Sequence, residues 1–402
     1  MKTKKMKQAK GSLNHRVVDC SEPGDDKKVK SSTDYSKPVY LVAPPLSGQR
    51  APSVFMVEAA ALAGGAEPPP SRTVAAQIRG ARSGMSFVAT HSERGSWIVG
   101  VGGPKGHTVI YDPSTTKTFE GPDLDGPMHK PILVSIASKV YVLSRRPKVY
   151  AHTKSDFEPW FVSLSFREGA PSVIGENFRP WKTLPPPPFF PSLLDPLEYR
   201  NPPTIAVSSY VATGSHIMLS TDCKETGTYA FHVVEEVWDK VCDDSLPFVG
   251  QAVALGGSLF AACCTIHNNF ATAVAVLRMS INGSSTPMAS SKLATRLLSL
   301  HPVASERGPP LPLLCPTGKG CFCSIRLGSP CGFHEGNNLD RPQIILTAFK
   351  IDNFEAACQT GYADAKDLQV PVPVRHQNKT YLLPGPFQLK NSLMPVIASI
   401  SM

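Results

Sequence analysis

Short runs in which β-branched and aromatic residues alternate with small or polar ones recur along most of the chain, and pairs of them bracket a polar tip. "GMSFVATHSERGSWIVGVGG" (84–103), "HTVIYDPSTTKTFEGPDL" (107–124) and "KPILVSIASKVYVLSR" (130–145) each read this way. A period of two puts one side of each run in a core and the other toward water or a second core, which is the signature of a strand. Asp112-Pro113 starts the turn of the second hairpin, and Ala137-Ser138-Lys139 forms the tip of the third. Few stretches compete as amphipathic helices. The best is "SKLATRLLSL" (291–300), which equally reads as a strand after a loop.

The hairpins recur as a larger unit. "TVIYDPSTTKTFEGPDL…ILVSIASKVYVLSR" lines up with "GTYAFHVVEEVWDKVCDDSLPF…QAVALGGSLFAACC", matching Tyr111 to Tyr229 and Phe119 to Trp238. Tyr111 precedes Tyr141 by 30 residues, and Tyr229 precedes Phe260 by 31. "FVSLSF" (161–166), "WKTLPPPP" (181–188) and "IAVSSYVATGSHIMLS" (205–220) repeat the same order, as do the later runs 271–281, 311–327, 343–352 and 373–384. Anchors after hairpin tips fall at Ile98, Tyr141, Ile217, Phe260, Phe322 and Tyr381, a mean spacing of about 57 residues. Units of about four strands at that spacing predict an all-β chain built as a β-propeller, six-bladed with seven as the alternative, because kelch-type blades repeat at about 50 residues. Such blades bury their faces only against neighbours, so the ring must close. The runs at 38–44 and 53–63 are expected to complete a blade with strands from the C-terminus, and Trp238 to anchor one blade on the next.

Composition fits this expectation. Proline (39) and glycine (30) supply the many turns, and 42% hydrophobic residues supply a core. The net charge of +9 is uneven: residues 1–30 hold nine Lys/Arg against four Asp/Glu, so the rest is nearly balanced. This argues against nucleic acid as the main partner. Residues 1–36 read as a disordered basic tail and 37–402 as a single propeller domain. The cluster Lys2, Lys4, Lys5 and Lys7 reads as solvated tail, with a nuclear import signal as the alternative. Neither a secretory leader nor a run of eighteen apolar residues is present, so a cytoplasmic or nuclear protein with reduced thiols and no membrane partner is expected. The sequons at Asn282 and Asn378 are then chance matches.

"GTYAF…VWDKVCDDSLPFVGQAVALGGSLFAA" resembles the kelch-type blade of a large, grass-expanded plant family of uncharacterised proteins. "KPVYLVAPP…PSVFMVEA", "LCPTGKGCFCSIRL…QIILTAFKID" and "VRHQNKTYLL" are similar to that family's opening, late and closing elements. The resemblance covers roughly residues 37–400 and implies a galactose-oxidase-type kelch propeller of six or seven blades, with no established activity. Related plant kelch proteins carry an F-box, and residues 1–36 hold no Leu-Pro-rich segment able to be one.

Candidate chemistry is sparse. Gly100-x-Gly102 follows a strand, but Gly106 comes one place late for a dinucleotide fingerprint and β-branched residues follow it, so a turn is expected. "PTGKGC" (316–321) lacks the first glycine of a P-loop and reads as a hairpin tip. Cys315, Cys321, Cys323, Cys331 and His334 fall within 20 residues, yet their spacings lack zinc knuckles. Cys321 and Cys323 should share one strand face as small core residues, opposite Phe322; a metal site is the alternative. Cys263 and Cys264 also read as core. Ser329 in "GSPCG" is out of pattern for a nucleophile elbow, and His216, His232 and His267 belong to no motif. Copper held by Tyr and His, as in galactose oxidase, has no assignable positions.

No catalytic, cofactor-binding or metal residue is therefore assigned. The expected function is non-enzymatic protein–protein recognition through rim loops, by a monomer with no cofactor and an unknown protein partner. The alternative is an enzyme or metal-dependent hydrolase or oxidase at the central channel. The candidate loops are the proline-dense 181–203, whose Pro185–Pro188 also fits a polyproline II ligand, and the polar loop 104–107.

Overall fold

The computed structural model describes residues 37–43, 52–57, 76–147, 160–170, 181–191, 205–266, 271–282, 292–304, 311–327, 338–339, 343–359, 372–382, 387–388 and 396–402. All belong to one compact unit, Thr33–Met402. The basic tail expected over 1–36 lies outside the described residues.

Strands are numbered β1 to β26 along the chain. The first sheet combines β1 (Val39–Ala43), β2 (Ser53–Val57), β3 (Ala76–Gln77) and the C-terminal β26 (Ala398–Ser401), in the order β26-β1-β2-β3. The second is the meander β4 (Met85–Ser92), β5 (Gly95–Gly102), β6 (His107–Asp112) and β7 (Lys117–Glu120). The third is β8 (Ile132–Ile136), β9 (Lys139–Leu143), β10 (Phe161–Ser165) and β11 (Lys182–Thr183). Next come β12 (Val207–Thr213), β13 (His216–Thr221), β14 (Thr228–His232) and β15 (Val237–Cys242), then β16 (Val249–Gly256), β17 (Leu259–Ile266), β18 (Ala271–Asn282) and β19 (Lys292–Ala304). These fourth and fifth meanders are joined by parallel pairing of β12 with β16 at Ser209–Gly250 through Val211–Ala252. The sixth sheet is β20 (Leu313–Gly318), β21 (Cys321–Leu327), β23 (Gln343–Ile351) and β24 (Val374–Leu382). A short pair, β22 (Asn338–Leu339) with β25 (Phe387–Gln388), stands apart, and the helix α1 (Phe354–Gln359) links β23 to β24.

Each sheet has two buried faces, and the hydrophobic clusters show what covers them. One cluster lies between the first and second sheets, around Val42, Ile98 and Tyr111. Others lie between the second and third (Val99, Val140, Phe166), third and fourth (Tyr141, Phe161, Phe231), fourth and fifth (Met218, Phe260) and fifth and sixth (Val276, Phe322, Phe349). The sixth sheet then packs on the first, with Ile325 and Leu346 against Val39, Leu41 and Phe55. The first strands β26, β4, β8, β12, β16 and β20 also touch in that order, and β20 touches β26 again. This closed succession is propeller-like, with each sheet stabilised by its two neighbours. As expected, β26 pairs with β1, from Val39–Ser401 to Val42–Ala398, so the two ends of the chain share one sheet.

Two expectations need correction. Ile98, Tyr141, Ile217, Phe260 and Phe322 do lie on the second strands of their sheets, but Tyr381 lies on β24, the fourth strand of the sixth sheet. The second strand of the remaining sheet is β1, which follows no hairpin tip because the chain ends separate it from β26. The match of Tyr111 to Tyr229 is also out of register. Ile98 pairs with Tyr111, whereas Ile217 pairs with Phe231, and both partners sit one residue before the hairpin-closing pair. Phe231 is therefore the counterpart of Tyr111, and Thr118, not Phe119, stands where Trp238 does. The ambiguous run 291–300 is strand β19 from Lys292 onward, and "PTGKGC" is the β20–β21 hairpin.

Candidate recognition rim

In a four-stranded meander, the link from the second to the third strand and the link to the next sheet emerge at the same end. Residues 103–106 and 121–131 are these two links in the second sheet. They are tied together: Gly103 and Met128 exchange backbone hydrogen bonds (2.7 and 3.2 Å), and Leu124 N–H donates to the Gly106 carbonyl at 2.8 Å. Asp123 accepts from the Thr108 N–H at 3.3 Å and faces His107 Nδ1 at 3.0 Å. Gly106 has φ +66°, and a Cβ there would lie 2.4 Å from the Gly126 carbonyl oxygen, so only glycine fits. The Gly100–Gly106 pattern is thus strand and turn. It leaves Pro104 and Lys105 exposed on a fixed loop, beside Asp123, Asp125 and Lys130.

The proline-dense segment belongs to the third sheet's outgoing link and so shares this end. Its described part, to Pro191, is anchored. Phe190 is buried against Trp160 (5.7 Å between rings), and Phe189 packs on Tyr229 (5.1 Å) of the fourth sheet. Phe190 N–H closes a turn on the Pro187 carbonyl at 2.9 Å. Pro187 is buried, whereas Pro185 and Pro188 are exposed. Pro185–Pro188 is therefore a docked loop whose outer prolines face water. The remainder, 192–203, lies outside the described residues.

A repeated indole clasp holds these links to the next sheet. Trp181, just before β11, donates from Nε1 to the Pro122 carbonyl at 2.8 Å, and Trp238 on β15 donates to the Pro185 carbonyl at 2.8 Å. Each tryptophan reaches the proline that follows the outer strand of the preceding sheet. Trp238 also lies against Phe161 (5.6 Å) of that sheet and Phe231 (5.1 Å) of its own. It is half-buried and bridges two sheets. Farther along the same end, Arg145 Nε donates to the Lys130 carbonyl (3.3 Å) and its guanidinium covers the Tyr210 ring (5.6 Å). Burial pushes the Tyr210 phenol up despite that guanidinium, and its hydroxyl donates to Gln251 at 3.4 Å. Arg146, next to it, is exposed.

The cysteines go elsewhere. Cys315, Cys321 and Cys323 are fully buried in the apolar interface of the sixth and first sheets, while Phe322 faces the fifth. The Cys315 thiol beside Cys323, together with burial, holds Cys323 well above the usual thiol range. Metals select thiolates, and this setting disfavours them. Burial, with Cys264 beside it, pushes Cys263 up to about 12. Cys331, His334, His267 and Ser329 lie outside the described residues. His216 and His232 lie side by side across β13 and β14 with tilted rings 4.7 Å apart, and burial followed by the neighbouring His232 lowers His216. The opposite ends of β16, β20 and β26 surround an opening of about 510 Å³ lined in part by Lys37, Lys319 and Ser401. Sequence reasoning also passed over a polar cleft between the fifth and sixth sheets. Its signal was Ser324 and Arg326 at alternate positions of an otherwise apolar strand. Among the described residues, no helix is long and apolar enough to cross a membrane.

The model of a family described as "Protein of unknown function (DUF1668)" matches residues 28–381. No curated protein matches the chain. Among solved structures, the chain is similar to the β-propeller domain of Cps50 (Swd1) from Myceliophteria thermophila, at 9% identity and a TM-score of 0.36, over 77% of this chain and 82% of that one. At that level of similarity the fold assignment rests on the strand pairing and inter-sheet cores described above.

Proposed function

The chain belongs to the DUF1668 family of proteins of unknown function, and we propose that it acts as a six-bladed, kelch-like propeller that binds a protein partner without chemistry of its own. The observation that carries this reading is the anchored rim. Loops bearing exposed Lys105, Lys130, Arg146, Pro185 and Pro188 are fixed by backbone pairs, indole clasps and buried phenylalanines. Loops held in one conformation lose little entropy on binding, and mixed charge around proline and aromatic groups suits a protein surface better than a uniform phosphate backbone. The partner is a protein, the chain a monomer, and nucleic acid, membrane and cofactors have no part in this reading; the site of action is cytoplasmic or nuclear.

The test is affinity capture with the full chain, Lys105→Glu with Arg146→Glu, and Arg94→Glu at the opposite end as control. Partners lost only with the first pair support the rim. Partners kept by that pair and lost with Arg94→Glu place recognition elsewhere. Stoichiometric zinc, copper or iron in the purified protein would overturn the scaffold reading in favour of an enzyme at the central channel.

A further inference from the structure

The face of the sixth sheet that looks toward the fifth changes character along its length. Cross-strand pairing places Phe322, Phe349 and His376 in one row and Ser324, Thr347 and Asn378 in the next. Arg326 follows on β21 with the same period-two orientation. The first row is apolar at its core, where Phe322 and Phe349 stack at 4.7 Å and 5°. The second row and Arg326 are polar. Opposite them, His301 on β19 lies 6.0 Å from the Phe349 ring and 6.3 Å from the His376 ring, with its Nε2 3.3 Å from Ser299 Oγ. Between the two sheets is a cleft of about 120 Å³ whose lining includes His301, Arg326, Thr347, Phe349, His376 and Asn378.

Two buried polar atoms on this face have no hydrogen-bond partner among the described residues: Ser324 Oγ, on a fully buried residue, and Arg326 Nε. A buried hydroxyl or guanidinium N–H left unsatisfied costs free energy that native structures rarely leave uncompensated. No carboxylate from the described residues lines the cleft. Arg326 thus brings a permanent positive charge and a planar fork of donors to a place that lacks the anion such a fork matches. Thr347 and Asn378 add neutral donors. Burial, then the neighbouring His376, lowers His301, so it is an uncharged ring that donates or accepts one hydrogen bond near neutral pH.

We propose that this cleft binds a small oxyanion, a carboxylate or a phosphate group, with Arg326 as its charged partner and Thr347, Asn378 and the two histidines completing its shell. The proposal is independent of the rim reading, because the cleft lies between two sheet faces. The test is isothermal titration of the full chain with inorganic phosphate and, separately, with acetate, each at ionic strength matched by chloride. The expected result is saturable binding of at least one anion. Phosphate alone points to a phosphoryl ligand, and acetate alone or with equal affinity points to a carboxylate. Arg326→Gln should weaken binding at least tenfold, and Arg326→Lys should restore only part of it. Should Arg326→Gln fail to fold, Asn378→Ala, at an exposed position, should still weaken binding several-fold. No saturable binding of either anion would overturn the proposal and leave the cleft to water. Undiminished binding by both a folded Arg326→Gln and Asn378→Ala would also overturn it.

Discussion

At the residue scale, the indole clasps separate two contributions that a buried ring alone would merge. Trp238 keeps its N–H bonded to the Pro185 carbonyl while its ring spans Phe161 and Phe231. Trp238→Phe should remove only the hydrogen bond and lower stability by about 1 kcal/mol. Trp238→Ala should also open the contact between the third and fourth sheets, for a total of about 2–3 kcal/mol, less than full burial would give because the ring is half-exposed. Urea unfolding of the three proteins checks this; equal losses for both variants would mean the ring contributes nothing. Sequence matching found Trp238 and its bridging role, since an aromatic in a polar strand is conspicuous. It mistook Phe119 for the counterpart because it matched aromatic to aromatic, whereas the two turns are equally long and the register puts Thr118 opposite Tyr111 as Trp238 is opposite Phe231. Phe119 is 42% exposed, on the other side of β7 from Thr118. Alternation placed Cys321 and Cys323 on one strand face, and the apolar character of a reduced thiol made them and Cys315 legible as core, with a metal site as the alternative. Arg326 was not singled out, because a charged residue in a strand ordinarily faces water and only the packed neighbour shows that its Nε is buried.

At the element scale, the hairpins were the most legible feature, since their registers are set by local turn chemistry. The β6–β7 turn shows how. Asp112 accepts from the Ser114 N–H and Oγ (2.8 and 2.7 Å) and from the Thr115 N–H and Oγ1 (3.4 and 2.9 Å), closing the bend that Pro113 initiates. Partial burial pushes the Asp112 carboxyl up, but these four hydrogen bonds outweigh it and hold the group below its ordinary value of 3.8. A carboxyl depressed in the folded state contributes its stability above the unfolded value and loses it as pH falls through the folded one. Asp112→Asn should therefore cost about 0.5–1 kcal/mol at pH 7, a figure kept small by solvent screening. The gap to the parent should narrow as pH drops below 3.8. Urea midpoints at pH 7 and pH 3 measure this; a gap that widens toward pH 3 would contradict the turn's role. The long strand β19 was harder to read, because "SKLATRLLSL" has leucines at spacings that suit either period, and its strand state comes from eleven paired positions with β18.

At the scale of the whole molecule, the ring is closed by hydrogen bonds that its covalent order does not supply. Among the described residues, the strands of the second to sixth sheets follow one another in chain order, but the first depends on β26 laid against β1, with Ser401 opposite Val39 as the last pair. That pair has the geometry of a hairpin whose tip has been cut. The sequence implied this closure, since units that bury their faces only against neighbours require the ring to close, although it misplaced the sixth anchor at Tyr381. Two variants follow from the cut hairpin. Removing residues 396–402 strips β1 of its pairing with β26, leaving only β2 beside it, and exposes Val39, Leu41 and Ile325, and it also deletes Ile400 and Val396 from their cores. Because each sheet is held by its neighbours, the loss should spread around the ring, giving a protein without a cooperative unfolding transition. A circular permutant should do the opposite. Joining Met402 to Lys37 through two glycines turns β26–β1 into an ordinary hairpin, and new ends can be opened between the third and fourth sheets. The loop closure involved differs little in entropy from the one replaced. The permutant should fold with unchanged strand content and a stability within about 1 kcal/mol of the same chain begun at Lys37. Circular dichroism and urea unfolding measure both proteins. A truncation as stable as its parent, beside a permutant that does not fold, would show that β26 is not what closes the ring.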